Sequence, residues 1–295
     1  ISLIISKKYK TVGFDINKIR ISNLKKSIDN NHEYKRKDFF NKKIKFSSDI
    51  KDLYECNFYI ICVPTPVKKN KIPDLKPLEK SFKIISKVIK KDDIVVLEST
   101  VYPGITNKYS KYLENKTNLK KNKDFHVCYS PERINPGDKK NSLTKINKII
   151  AYDGKNLLIK KKIIEIYSKL SKKIIFSDKI NEAETAKAIE NIQRDLNIAL
   201  FNEILLICIN LNLKFNEVIK LAKTKWNFIE FTPGLVGGHC LPVDPYYLTH
   251  AARKKKYNSK VTLSGRFIND YMTKYVLEEK TKKIKKFLKN KSNIK

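Results

Sequence analysis

One segment concentrates the side chains with the most chemistry in them: Phe231-Thr232-Pro233-Gly234-Leu235-Val236-Gly237-Gly238-His239-Cys240-Leu241-Pro242-Val243-Asp244-Pro245-Tyr246-Tyr247. Gly234, Gly237 and Gly238 are three of the chain's eight glycines, so the backbone here is expected to pass close to something. Pro242 suits the first turn of a helix. That would set Cys240 at or just before a helix N-terminus, where the helix dipole and free N–H groups stabilise a thiolate. Cys240 is therefore a candidate nucleophile, with Asp244 one turn further on; a buried structural thiol is the alternative. Lys187 and Asn191 form a second pair, four residues apart and so on one helix face. Glu190, Arg194 and Asp195 follow on the same stretch. In a chain this rich in lysine, a solvated helix face is the competing explanation. Thr65, Thr100 and Glu132 each follow a short apolar run, as polar groups do that meet a ligand at strand ends; ordinary turns also carry Thr, Pro and Glu.

These groups need elements to hold them. Phe58–Val63 has the composition of a buried strand and ends at Pro64-Thr65-Pro66. Ile94–Leu97 ends at Glu98-Ser99-Thr100, and Phe125–Tyr129 ends at Ser130-Pro131-Glu132-Arg133. Leu78–Ile89 has helical periodicity, as does the stretch near Leu157–Leu170, which lies between strand candidates Ile149–Ala151 and Lys173–Phe176. Strands alternating with helices predict an α/β fold with a parallel, doubly wound sheet, in which ligands bind beyond the carboxyl ends of the strands. Lys10–Asp15 is a short β-rich run closed by an acid. In a nucleotide-binding βαβ unit such an acid accepts hydrogen bonds from the adenosine ribose; taken alone it is more often a turn residue. The glycine-rich phosphate loop of that unit would lie before residue 1, so the chain is expected to begin inside the first helix, without the first strand. The second half reads as helical: Ala183–Leu213 runs without Gly or Pro, and Asn216–Ala222 forms a shorter helix.

Composition sets the outer limits. The 295 residues are 41% hydrophobic and 10% aromatic, enough to bury a core and too apolar for a disordered chain. The formal charge of +33 invites a nucleic-acid reading. Yet only six of the 63 cationic residues are arginine (20, 36, 133, 194, 253 and 266). Lysine is spread along the whole chain, as an AT-rich genome would supply it, and a nucleic-acid footprint is a patch. No nucleic-acid partner is expected. The longest apolar runs, Phe58–Val63 and Ile204–Ile209, are too short to cross a bilayer, and no targeting segment is visible. The five cysteines have no paired spacing, which argues against disulfides and a metal site and for a reducing, cytoplasmic setting. Cys56, Cys62, Cys128 and Cys208 read as small core residues.

Taken together, seven ordered blocks resemble the UDP-glucose/GDP-mannose dehydrogenase family, closest to its bacterial branch that oxidises UDP-N-acetylhexosamines to uronic acids. The blocks are Val12-Gly13-Phe14-Asp15, Val63-Pro64-Thr65-Pro66, Glu98-Ser99-Thr100-Val101-Tyr102-Pro103-Gly104, Tyr129-Ser130-Pro131-Glu132-Arg133-Ile134-Asn135-Pro136-Gly137, the Ala186–Ala199 stretch with Lys187, Asn191 and Asp195, the Gly237-Gly238-His239-Cys240 loop with Asp244, and Gly265-Arg266 with Asn269-Asp270. The resemblance implies a four-electron oxidation of a sugar alcohol to a carboxylate with two NAD+, passing through a thiohemiacetal and a thioester on Cys240. By likeness, Lys187, Asn191, Asp244 and Thr100 form the base assembly, and Glu132 helps position the hydrolytic water. Asp15, Pro64, Thr65, Thr100 and Glu132 would line the NAD site, with Asp15 disfavouring the 2′-phosphate of NADP. Phe231, Gly234 and Gly237 resemble the loop around the nucleotide-sugar, and Arg266 an arginine that reaches a partner subunit's substrate. The same likeness implies a Rossmann-like domain over 1–177 lacking its first strand and glycine loop. A helical dimerisation domain over 178–275 would follow, making a homodimer, and then a basic linker helix over 276–295 toward an absent UDP-binding domain. The other expectation is an inactive truncated remnant that keeps only the dimerisation core.

Overall fold

The computed structural model describes residues 1–40, 43–134, 143–238 and 240–292. Of the motif residues above, Asn135, Pro136, Gly137 and His239 lie outside them. The chain divides into two compact units, Ile1–Thr65 with Asp74–Lys187, and Pro66–Pro73 with Ala188–Lys295.

The first unit opens with a single helical turn, α1 (Ser2–Ile5), followed by β1 (Thr11–Phe14), α2 (Lys18–Lys25) and β2 (Ile44–Ser47). β1 and β2 pair in parallel, Thr11 against Ile44 through Phe14 against Ser47. The remaining elements are β3 (Phe58–Ile61), α3 (Lys76–Ile85), β4 (Ile94–Leu97), α4 (Ile105–Thr117), β5 (His126–Tyr129), β6 (Asn147–Ala151), α5 (Leu157–Tyr167) and β7 (Lys173–Ser177). They build a five-stranded sheet in the order β3-β4-β5-β6-β7. β4 and β5 are buried along their whole length, as expected of inner strands with both faces covered. α3 shows how the pattern works: Pro77 sits in its first turn, and Leu78, Phe82 and Ile85, at helical spacing, are its buried side chains.

The sheet departs from the expected all-parallel arrangement at one place. β5 and β6 are antiparallel, with Tyr129 opposite Ala151, and α5 then returns the chain so that β7 runs parallel to β6. Between β5 and β6 the described residues hold a 3-10 turn, Leu143–Lys145. Several boundaries also move. β3 stops at Ile61, not Val63, so Cys62 lies past the strand and is exposed, and Cys56 is half-buried; only Cys128 and Cys208 are the core thiols expected. α3 ends at Ile85, and Val88 and Ile89 are buried in the turn after it.

The second unit is helical apart from an isolated bridge between Val67 and Pro73. α6 (Ile180–Asn210) is the long helix anticipated from the absence of Gly and Pro; α7 (Phe215–Ala222), α8 (Asp244–Lys254) and α9 (Lys260–Ser292) follow. α9 crosses α6 at Gly265, where any Cβ would collide with Leu196 Cδ2. That close approach brings the next turn of α9 within reach of the polar groups of α6.

Candidate active site

The cysteine segment folds differently in detail from its sequence expectation. α8 starts at Asp244, and the proline in its first turn is Pro245; Pro242 belongs to the turn before it. Cys240 nonetheless leads into the helix, because its carbonyl accepts from Val243 N (3.0 Å) and Asp244 N (2.8 Å). It therefore lies one turn ahead of α8 and is exposed, which excludes the buried-thiol alternative. Asp244 is 3% exposed and accepts a short hydrogen bond from Asn191 Nδ2, a charge-assisted contact that fixes the carboxylate. Asn191 and Lys187 are themselves 8% and 7% exposed. A solvated helix face is thus ruled out for both. Among the described residues, and leaving out chain neighbours, no atom lies within 4 Å of where a Cβ would stand at Gly234, Gly237 or Gly238. What glycine supplies at 238 is conformation, since its φ is +83°.

Ahead of Cys240, the loop from 227 to 238 has no regular secondary structure, and α6 shapes it. Phe201, 2% exposed, meets the rings of Phe228 and Phe231, each at a centroid distance of 6.1 Å. Asn202, fully buried, donates from Nδ2 to the Gly234 carbonyl (3.0 Å) and accepts the Gly234 N–H at Oδ1 (2.8 Å). Phe231 and Gly234, expected on the substrate loop, are therefore its anchors to α6. Arg266 is also used internally: 2% exposed, it pairs through Nη1 with Asp195 Oδ1 (2.6 Å) and through Nη2 with Asp270. Within the chain Arg266 thereby ties α9 to α6. Burial pushes the Asp195 carboxyl up, and Arg266 pulls it back.

In the first unit the groups past the strand ends cluster as the fold class requires. Ser99 Oγ donates to Val63 O (2.7 Å), tying the end of β3 to that of β4. Pro64 is exposed there, with Thr65 and Thr100 half-buried. Glu132 accepts at Oε1 from the N–H groups of Arg133 (2.7 Å) and Ile134 (2.9 Å), and Lys148 Nζ stands 3.6 Å from its Oε2. β5 and β6 pair antiparallel at Tyr129 and Ala151, three residues before Glu132 and three after Lys148. Lys148 is fully buried and pairs at 2.7 Å with Glu98, whose side chain is 1% exposed; Tyr167 donates to the other Glu98 oxygen at 2.7 Å. Burial raises the Glu98 carboxyl above its ordinary range, and the charge and hydrogen bond of Lys148 and the Tyr167 hydroxyl oppose it. At the end of β1, Asp15 Oδ1 accepts from Asn17 N (2.9 Å), and its side chain is 37% exposed, with Arg20 Nε 3.8 Å from Oδ2. Asp15 thus keeps a partly exposed carboxylate past a strand end, which suits it to accept ribose hydroxyls.

Three groups escaped sequence reasoning. Lys148 was one lysine among many. Asn202 belongs to no spacing motif. Glu184, fully buried, caps α4 from a distance by accepting from Gly104 N (2.6 Å), Thr106 N (2.8 Å) and Thr106 Oγ1 (2.6 Å).

Comparison with known proteins is consistent with this arrangement. Residues 2–171 match the family model described as UDP-glucose/GDP-mannose dehydrogenase family, NAD binding domain, and 181–271 match that family's central domain. The chain is 46% identical to Protein CapL of Staphylococcus aureus, over 95% of this chain and 66% of that protein. It is 48% identical to the UDP-N-acetyl-D-glucosamine 6-dehydrogenase of Salmonella typhi, over 92% and 64%. Among solved structures, the UDP-D-ManNAc dehydrogenase of Pyrococcus horikoshii superposes with a TM-score of 0.84 at 32% identity, covering 96% of this chain and 68% of that one. The chain thus spans roughly two thirds of the length of these curated relatives.

Proposed function

The chain belongs to the UDP-glucose/GDP-mannose dehydrogenase family, and from that membership we propose that it oxidises the C6 hydroxyl of a UDP-sugar, of the UDP-N-acetylhexosamine class, to the carboxylate for polysaccharide biosynthesis. The observation that carries this reading is the exposed Cys240 one turn ahead of α8, with the buried Asp244 carboxylate held by Asn191. A two-electron alcohol dehydrogenase needs no thiol, whereas in a four-electron oxidation a thiol adds to the intermediate aldehyde and makes it the tetrahedral donor of the second hydride.

NAD, when bound, accepts the hydride of each oxidation, and Asp15, Pro64, Thr65, Thr100 and Glu132 are the residues we assign to hold it. Lys187, Asn191 and Asp244, with Thr100, take up the proton of the C6 hydroxyl through a bound water. The Cys240 thiolate then adds to the aldehyde carbon, forming a C–S bond and an oxyanion that the Lys187 ammonium and the Asn191 amide stabilise. After the second oxidation that carbon is a thioester. A water oriented by Glu132 and Asp244 attacks it, the C–S bond breaks, and the thiolate returns as the carboxylate leaves. Phe231, Gly234 and Gly237 shape the loop beside the nucleotide-sugar.

We assign residues 1–177 to cofactor binding, 178–275 to the cysteine-bearing helical domain and 276–295 to a basic linker. Ile189, Leu200 and Ile207 are each about half exposed (50–52%) and share one face of α6 by helical spacing, which supports a homodimer through this helix. Among the described residues no helix is long and apolar enough to cross a membrane, consistent with the cytoplasmic location we propose.

The test counts NADH released per UDP-N-acetylglucosamine or UDP-N-acetylgalactosamine consumed. Two per sugar is the expected result, and one would reduce the activity to a simple alcohol dehydrogenase. Cys240→Ser should stop at the aldehyde level; a variant that still releases two NADH would remove the thiol from the reaction.

A further inference from the structure

We propose that Asn202 is the positioning residue for the cysteine loop: its buried amide clamps the backbone of Gly234 to α6 and so sets where Cys240 stands. The proposal rests on the assignment of Cys240 as the nucleophile.

The Asn202 side-chain amide is engaged through both its nitrogen and its oxygen. One Nδ2 hydrogen goes to the Gly234 carbonyl (3.0 Å) and the other to Asn269 Oδ1 (2.8 Å), while Oδ1 accepts the Gly234 N–H (2.8 Å). With both donors and the acceptor engaged, the reversed amide orientation would set acceptor against acceptor at Gly234 and at Asn269. The orientation is therefore dictated by its partners. Those partners are fixed in turn: Asn269 Nδ2 donates to the backbone oxygen (2.9 Å) and the side-chain Oδ1 (2.8 Å) of Asp195, and Arg266 Nη1 holds the same Oδ1 at 2.6 Å. An unbroken line of hydrogen bonds thus leads from α9, through α6, to one exposed residue of an irregular loop. Phe201, next to Asn202, holds Phe228 and Phe231 in that loop. The helix therefore grips the loop at 228, 231 and 234, and Cys240, two residues past Gly238, is where the chain turns into α8. Gly234 itself offers no side chain to pack, and the space above it is open. Its backbone is the only handle, and Asn202 is what holds it.

The experiment compares Asn202→Ala and Asn202→Asp with the wild type in three measurements. Hydrogen exchange should quicken across 231–240 in both variants while peptides from β4 and β5 keep their protection. In single turnovers with saturating UDP-N-acetylglucosamine, which removes any effect on substrate binding, the first oxidation should stay within about twofold of wild type, and the second, which needs Cys240, should fall about a hundredfold, the scale of loss for a misplaced reacting group. Asn202→Asp keeps the shape but turns a carboxylate oxygen toward the Gly234 carbonyl and Asn269 Oδ1, so it should be at least as harmful as Asn202→Ala. A residue that merely fills space would give the opposite order. Unchanged exchange across 231–240, equal slowing of both oxidations, or an aspartate variant milder than alanine would each overturn the clamp. Where the wild-type chain releases no NADH at all, the functional proposal falls by itself, and the clamp is still decided by exchange: faster supports it, unchanged overturns it.

Discussion

The two units each bury a polar array, and the arrays are built on different principles. In the first unit, full charges are buried whole: Lys148 and Glu98, at 0% and 1% side-chain exposure, face each other at 2.7 Å beneath the strand ends, with Tyr167 filling the remaining carboxylate oxygen. In the second, an ion pair between Asp195 and Arg266 anchors one end of the line, neutral amides of Asn269 and Asn202 carry it onward, and it ends on the exposed backbone of Gly234. Losing half of a buried ion pair strands a charge without water. Losing the last link of the amide line leaves a loop that solvent can satisfy. The first array therefore governs whether the unit folds, and the second governs where a loop rests.

The sharpest test of that contrast is Lys148→Met. With Glu98 left buried and unpaired, unfolding free energy should drop by about 3–5 kcal/mol, read as a lower urea midpoint. Pairing it with Glu98→Gln removes both charges while Tyr167 keeps its acceptor, and most of the loss should be recovered; a double variant as unstable as the single would show that the two ions are not coupled. Next in size is Arg266→Lys. The ammonium keeps the charge but lacks the fork that spans Asp195 and Asp270, so the cost should be that of one hydrogen bond to a charged group, about 1.5–3 kcal/mol. A loss as large as that of Lys148→Met would erase the distinction between the arrays.

How much of this was readable beforehand follows the range of the interactions. β4 was legible to the residue, because Ile94–Leu97 is an apolar run bounded by charged and polar neighbours. α6 was legible from what it lacks, and the Cys240–Asp244 spacing fixed a one-turn relation that survives although the helix starts later than Pro242 suggested. Lys148 was not legible: in a chain this rich in lysine nothing local marks the one fully buried beneath a sheet. Its partners Glu98 and Glu132 follow two other strands, β4 and β5, and lie far from it in sequence. Asn202 and Glu184 were hidden for a related reason. Each bonds to backbone far away in sequence, and an amide or acid that caps remote N–H groups leaves no periodic trace.

The smallest expected effect separates the units by acid sensitivity. His126 opens β5, is 1% exposed, and meets the Tyr152 hydroxyl through Nδ1 at 2.9 Å, while its Nε2 is buried with no hydrogen-bond partner among the described residues. Burial lowers its pKa below the ordinary 6.5. The folded protein therefore binds fewer protons than the unfolded chain as pH falls below 6.5, and stability present above that value is lost on the way down to the folded pKa. Glu98, Glu184 and Asp195 act with the opposite sign. Burial raises each of them, so their folded forms gain relative stability as the pH falls through their raised folded values. His126→Asn removes one proton site from this balance without touching the carboxyls. Its urea midpoint should fall less than that of wild type between pH 7.5 and 5.5. His250, half-buried on α8, is lowered in the same direction by burial and by the neighbouring Lys254 and Arg253, and His250→Asn should flatten the profile less, because its ring keeps partial access to water. Equal flattening by the two substitutions would mean that acid sensitivity is shared by the units, and that burial of the β5 histidine does not set it.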